Sequence, residues 1–144
     1  MTRRNKIIRS VGKRSESVEQ QSLFNWRDEM VMKFPGRYPG IDEMLATLNG
    51  AYLQGSKEQR ARRWVQLKKE GAREGVADIF LPVPVSTYSG LWIEMKIEKG
   101  GVTSQSQKEV AAKMMQRGYY FGVCAGVASA IRLIQFYYSM DDYL

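Results

Sequence analysis

The sequence predicts an α/β fold with a small mixed central β-sheet flanked by helices. The stretch 75–101 indicates two strands joined by a turn, because apolar side chains alternate over 91–97 and prolines follow the first apolar run. A polar helix pattern over 103–117 then leads to a second apolar strand at 119–125. This βαβ order predicts parallel strands beside the antiparallel hairpin, and hence a mixed sheet.

At 144 residues the chain is expected to form one domain with a real core. Its 44% hydrophobic and 11% aromatic content favours a globular fold over disorder. No run of about 18 apolar residues is present, so we expect no membrane span. The basic N-terminus lacks an apolar signal core, which predicts a cytoplasmic protein.

The first half of the domain is predicted to be mainly helical. Residues 1–14 are basic with few apolar partners and are expected to form a flexible arm, which leaves 15–144 as the single domain. The first helix is expected to begin at Ser17, where Ser17-x-x-Gln20 fits a capping box, and to end before Pro35.

A short strand over 44–48, an Asn-Gly turn at 49–50 and a second helix from a capping box at 56–59 to Gly71 follow. The apolar stripe expected on this helix is Ala61, Trp64 and Val65. Its cations include Arg62 and Arg63, for which phosphate contact and simple solvation are both open readings.

The third helix is predicted from the Ser104-x-x-Gln107 capping box to Gly118, and the last helix covers 127–140. The aromatic residues near the C-terminus are open to two interpretations, a subunit interface or the completion of the core. They are Phe136, Tyr137, Tyr138 and Tyr143.

The chain contains no histidine and one cysteine, Cys124. Ser-His-Asp triads and histidine zinc sites are therefore excluded, and Cys124 is expected to be a buried structural thiol. Any catalysis must use carboxylates, lysine, hydroxyls or an oxygen-bound metal. The net charge of +7 favours a polyanionic partner such as nucleic acid, although it could also serve solubility alone.

Strand alternation places Glu94 and Lys96 on one face, roughly 7 Å apart, while Ile93 and Met95 point to the core. If Asp78 on the neighbouring strand faces Glu94, the two carboxylates repel each other unless a proton or cation lies between them.

Hard oxygen ligands suit Mg²⁺, for which Mn²⁺ can substitute, and the backbone carbonyl of Met95 can complete the shell. Lys96 can orient a water molecule or stabilise a phosphorane-like state. These residue types match metal-assisted phosphodiester hydrolysis. The alternative is a non-catalytic basic DNA-binding module in which the acids form ordinary ion pairs.

The region 75–118 resembles the VRR-NUC branch of the PD-(D/E)XK nuclease superfamily. The matching pieces are G-V-A-D (75–78), I-E-M-K (93–96), Gly101, Gln107 and Gly118, with weaker matches at Glu19, Asn49-Gly50 and 68–75. The resemblance implies a restriction-endonuclease-like core. In it, Asp78 and Glu94 bind the metal, Lys96 is the active-site lysine, Glu19 is the first-helix acid and Gln107 reaches the site.

Small stand-alone relatives of phage type are homodimers that cut branched DNA such as Holliday junctions. The resemblance therefore implies a structure-selective, Mg²⁺-dependent endodeoxyribonuclease that acts as a homodimer and uses no organic cofactor. A flap or single-strand nuclease on the same fold is the alternative.

The sequence departs from the family pattern at two places. Ala77 replaces the proline before the aspartate, and G-V-C-A-G occupies the strand where the V-R-R signature should fall. With those cations missing, the expected phosphate contacts are Lys69, Arg73 or Lys99.

Overall fold

The computed structural model describes residues 2–47, 55–97 and 102–141, with side chains from residue 16 onward. Four α-helices and four strands lie within these ranges. In chain order they are α1 (Thr2–Lys33), a 3-10 turn (Ile41–Glu43), β1 (Leu45–Ala46), α2 (Lys57–Lys69), β2 (Ile79–Leu81), β3 (Leu91–Lys96), α3 (Gln105–Gln116), β4 (Tyr120–Ala125) and α4 (Val127–Ser139). The α/β fold and the order of its elements are confirmed.

The four strands form one mixed sheet in the order β1-β2-β3-β4. β1 and β2 pair antiparallel, as do β2 and β3, whereas β3 and β4 run parallel and are joined through α3. The predicted hairpin and βαβ unit are therefore both present. The register Ile79↔Ile93 between β2 and β3 decides which side chains face each other at the site.

The core lies between one face of the sheet and the helices α1 and α4. Leu91, Ile93 and Met95 of β3 are fully buried, as the alternation predicted, and belong to one cluster with Leu23 of α1 and Ile134 of α4. Because successive strand residues point to opposite faces, burying this set turns the alternate residues of β3 toward the other side of the sheet.

The predicted start of the first helix at Ser17 is wrong, because α1 begins at Thr2 and passes through Ser17 without interruption. A capping box operates only where the preceding chain leaves the helix, and the segment before Ser17 contains no proline to force that exit. The capping boxes at 56–59 and 104–107 are both present. The predicted strand over 44–48 shortens to Leu45–Ala46, and the turn at 49–50 lies outside the described residues.

The stripe predicted for α2 is also wrong. Leu67 is the buried residue of this helix, whereas Ala61 is exposed and Val65 is 53% exposed. At the carboxyl end of the chain, Tyr137 is fully buried and completes the core.

Tyr138 is half-buried and donates a hydrogen bond to the carbonyl of Pro39, while Phe136 is 55% exposed. Tyr143 lies outside the described residues. Cys124 is buried as expected. Over the described ranges, no helix is long and apolar enough to cross a membrane.

Candidate active site

Asp78 and Glu94 occupy directly opposed positions on neighbouring strands. Since Ile79 pairs with Ile93 in an antiparallel register, the residue before Ile79 lies across from Glu94, on the same face of the sheet. Asp78 precedes β2 by one residue, and its carbonyl accepts a hydrogen bond from the Thr47 N–H at 2.8 Å, which continues the pairing with β1. The geometry on which the carboxylate-pair prediction depends is therefore present.

Glu94 is buried, with 2% of the residue exposed. Its Oε1 accepts a 2.6 Å hydrogen bond from Nε2 of Gln107 and lies 3.4 Å from Nζ of Lys96. Its Oε2 is buried without a hydrogen-bond partner among the described residues. Asp78 Oδ2 accepts a 2.8 Å hydrogen bond from the Met95 N–H. One buried carboxylate oxygen is thus left unsatisfied beside a second carboxylate.

Burial is the main cause that raises the pKa of Glu94 to about 7, and the negative charge of Asp78 adds to it, while Lys96 opposes the shift. Burial also raises the pKa of Asp78, against the opposing effect of the Met95 N–H. Burial opposes the charge on both carboxylates, and the charge of Asp78 adds to the cost of ionising Glu94, so a compensating proton or cation is favourable here.

Gln107 links the start of α3 to the charged pair. It is the N3 residue of the capping box, and its Oε1 accepts hydrogen bonds from the Ser104 N–H at 2.9 Å and from Lys96 Nζ at 3.2 Å. Its Nε2 then faces Glu94, and the reverse orientation would set the amide hydrogens against an ammonium and an N–H. The amide therefore orients Glu94 and Lys96 together, which agrees with its predicted reach into the site.

The donor set fits a hard divalent cation. The unpartnered Oε2 of Glu94 and the carboxylate of Asp78 supply oxygen ligands of the type that Mg²⁺ and Mn²⁺ prefer. Because the N–H and C=O of a strand residue point to the same side, the Met95 carbonyl points to the same edge of β3 as the N–H that donates to Asp78. Within the described ranges no group of three or more acidic or cysteine side chains is placed to hold a metal, so waters would complete the shell.

Glu19 forms a hydrogen bond to α4, and among the described residues no hydrogen bond or ion pair joins it to Asp78 or Glu94. The Oε2 of Glu19 accepts a 2.6 Å hydrogen bond from the Val127 N–H, at the amino end of α4, where the N-cap residue is Gly126 and offers no side chain. A carboxylate is favourable there because it meets the positive end of the helix dipole. The charge of Glu16, also on α1, is one of the lesser causes that raise the pKa of Asp78 and of Glu94.

Sequence reasoning missed Glu16, although a signal for it was present. Glu16 lies three residues before Glu19, and residues at this spacing share a helix face. Of the residues predicted to contact phosphate, Arg62, Arg63, Lys69 and Arg73 are exposed on or just after α2, and Lys99 lies outside the described residues.

Gly75 of the G-V-A-D motif positions α3. Its φ is +83°, and a Cβ built on it would lie 2.4 Å from the carbonyl oxygen of Ser106 and 3.0 Å from the backbone nitrogen of Gln107. The first turn of α3 therefore packs directly on the backbone of the segment that leads to Asp78, which is possible only without a side chain.

We expect Gly75→Ala to lower the free energy of unfolding more than Gly71→Ala does. Gly71 also has a positive φ of +104°, but nothing lies within 4 Å of its Cβ position, so its substitution carries only the left-handed penalty of about 1–2 kcal/mol. Chemical denaturation of both variants measures the difference, and NMR of the Gln107 side-chain amide reports whether α3 has shifted. Equal losses of stability would show that the close approach is unimportant.

Three comparisons bear on the identity of the fold. A sequence profile of the VRR-NUC domain matches residues 14–128. A solved structure of a VRR-NUC domain protein superposes with a TM-score of 0.67 at 25% identity, covering 88% of this chain and 89% of that chain. No curated protein matches the chain significantly. Because the profile spans well over half of the chain and the fold agrees with it, the chain belongs to the VRR-NUC domain family of the PD-(D/E)XK superfamily, a family whose domain implies nuclease activity on DNA.

Proposed function

We propose that the protein is a Mg²⁺-dependent endodeoxyribonuclease that is selective for branched DNA and acts as a homodimer. The observation that carries the metal dependence is the buried, unpartnered Oε2 of Glu94 opposite Asp78. A buried carboxylate oxygen without a partner is costly, and a cation that neutralises it removes the cost.

Asp78, Glu94 and the Met95 carbonyl would hold the cation. A bound Mg²⁺ lowers the pKa of a coordinated water and offsets charge on the phosphoryl group. Lys96 is held by Gln107 and Glu94, and its ammonium would stabilise the negative charge that develops on the phosphate oxygens. Gln107 keeps both partners in position, so the lysine does not have to reorganise during the reaction.

The substrate preference is tested by comparing a four-way junction, a flapped duplex and a linear duplex of the same sequence, each with Mg²⁺ and with a chelator. We expect Mg²⁺-dependent paired nicks that are fastest in the junction. A twofold dimer would place two sites symmetrically for such paired incision. Faster cutting of the flap would favour the flap-nuclease alternative, and a monomer in sedimentation experiments would contradict the dimer.

The raised pKa of Glu94 predicts that the metal-free protein becomes less stable as the pH rises from 5 to 8. The folded-state pKa of about 7 exceeds the ordinary value of 4.5, so the stabilisation of the protonated form is complete below pH 4.5 and is lost as the pH rises through 7. The loss is on the order of 3 kcal/mol. Saturating Mn²⁺ should restore the thermal midpoint at pH 8.

Glu94→Gln is expected to flatten this pH dependence and to abolish the response to Mn²⁺. Glu109→Gln, which removes an exposed carboxylate from α3, is the matched control and should leave both unchanged. A midpoint that rises with pH in the metal-free wild type would contradict the assignment of the pair.

The two acids of α1 are expected to separate into different roles. Glu19→Ala should lower the free energy of unfolding by about 1 kcal/mol, since α4 loses an anion at its amino end, with little change in Mn²⁺ affinity. At pH 9, where Glu94 is ionised, Glu16→Ala should lower Mn²⁺ affinity with little loss of stability, because it removes negative charge near the pair. Calorimetry measures the Mn²⁺ affinity and thermal unfolding measures the stability of both variants. A loss of Mn²⁺ affinity in Glu19→Ala, with no loss in Glu16→Ala, would support the predicted site role of Glu19.

A further inference from the structure

The helix α2 is attached to the domain over a small part of its surface. Leu67 is its buried residue and Trp64 is half-buried, whereas the other positions of Lys57–Lys69 are exposed. A surface helix of a globular domain normally buries a broad apolar face. Burial of an apolar face is therefore not the main role of the α2 side chains.

Side-chain contacts tie the carboxyl-terminal half of α2 to the segment that follows it. Glu74 accepts a hydrogen bond from Trp64 Nε1 at 3.4 Å and pairs with Lys68 at 3.1 Å, and the Lys68 ammonium lies over the Trp64 ring. The pairing with Lys68 is the main cause that lowers the pKa of Glu74. These contacts hold the carboxyl-terminal half of the helix, whereas residues 57–63 of its amino-terminal half are all exposed.

The anchored segment also carries the site. Residues 70–77 run from the end of α2 to Asp78, and within them Gly75 packs against the backbone of Ser106 and Gln107 at the start of α3. The carboxyl-terminal end of α2 is therefore connected to the segment that carries Asp78 and to the first turn of α3, which carries Gln107.

The charge of α2 is strongly one-sided. Six cations stand against the single acid Glu58. The cations are Lys57, Arg60, Arg62, Arg63, Lys68 and Lys69. Within the described part of the chain, the structure gives no acidic partner to Arg60, Arg62, Arg63 or Lys69. Like charges this close repel each other, so the arrangement is unfavourable until a polyanion neutralises it.

We propose that α2 is an arm that binds the phosphates of duplex DNA on one side of the cleaved bond. This inference rests on the proposed nuclease function and adds to it a requirement for double-stranded DNA beside the site. A helix of 13 residues is about 20 Å long, which corresponds to about six base pairs of duplex at 3.4 Å per pair. The arm sets affinity and position on the DNA, while the chemistry stays with the carboxylate pair and Lys96.

The test compares two triple variants with the same loss of charge. Arg60→Gln/Arg62→Gln/Arg63→Gln removes cations from α2, and Lys113→Gln/Arg117→Gln/Arg132→Gln removes exposed cations from the far end of α3 and from α4. Both sets replace exposed side chains with a residue of similar helix propensity, so we expect both to fold, as circular dichroism will show.

Binding is measured with labelled duplex in the Asp78→Asn background over a range of salt concentrations, and cleavage is measured in the otherwise native background. For the α2 variant we expect binding at least about tenfold weaker at 0.1 M salt and a salt slope shallower by about 2 to 3, with kcat at saturating DNA within about twofold of wild type. The control should retain most of the affinity and slope.

Equally weakened DNA binding in both variants, or unchanged DNA binding in the α2 variant, would contradict the proposed role of α2. Either result would leave the proposed nuclease function untouched, because the wild type would still bind and cut DNA. A lower kcat with unchanged affinity would also contradict the proposed role of α2. If the wild type itself neither binds nor cuts DNA, the proposed function fails and the arm fails with it.

Discussion

Replacing Asp78 with asparagine is expected to lower Mg²⁺-dependent DNA cleavage by about a thousandfold or more, because it removes one of the two carboxylates that face each other across β2 and β3. The asparagine oxygen can still accept the hydrogen bond from the Met95 N–H, so the local backbone should keep its structure. The variant should bind DNA as well as the wild type does.

The same change has a second consequence that does not depend on activity. The charge of Asp78 is one of the causes that raise the pKa of Glu94, so Asp78→Asn should lower that pKa and weaken the loss of stability between pH 5 and 8. Asp42→Asn, at an exposed position in the 3-10 turn, is the matched control and should change neither property. Cleavage by Asp78→Asn at the wild-type rate would reject the nuclease site.

Replacing Lys96 with methionine is expected to reduce kcat by about a hundredfold to a thousandfold, with KM little changed. Its ammonium lies 3.4 Å from Glu94 Oε1 and 3.2 Å from Gln107 Oε1, and 16% of the side chain is exposed. A donor that is already oriented and largely removed from water stabilises developing charge more strongly than a solvated one.

Two roles of Lys96 can be separated by pH. The lysine opposes the raised pKa of Glu94, so Lys96→Met should also weaken Mn²⁺ binding near pH 7. At pH 9 Glu94 is ionised regardless, and metal binding should recover while cleavage stays low if the ammonium acts on the phosphate. Recovery of both metal binding and cleavage at pH 9 would show that Lys96 acts only by lowering the pKa of Glu94. Lys113→Met, an exposed cation of α3, is the control and should behave as wild type.

Much of the candidate site could be predicted from the sequence because its residues belong to short local patterns. Alternation along β3 predicted the buried face of Leu91, Ile93 and Met95 and the shared face of Glu94 and Lys96. The capping box at 104–107 predicted the start of α3, and its glutamine is the residue that meets the charged pair. Spacing is sufficient for such features because period and capping operate within a few residues.

Predictions that depended on longer-range geometry were less successful. The start of α1 was misplaced, since Ser17 has a capping sequence but no preceding chain that leaves the helix. The buried residue of α2 was misassigned because a helix with almost no apolar face gives little periodicity to read. The hydrogen bond from α4 to Glu19 was not predicted, since local spacing along α1 does not show which helix packs against it.

The sequence by itself determined the α/β class, the faces of the central strand and the absence of histidine chemistry, because each of these is a property of residue type and short spacing. Only the tertiary structure decided that Asp78 stands across from Glu94, that Glu19 serves the amino end of α4, and that α2 exposes all of its residues except Trp64 and Leu67. Those outcomes depend on strand register and on helix packing between segments far apart in the chain, where many arrangements satisfy the same local patterns and differ in which buried charges are compensated.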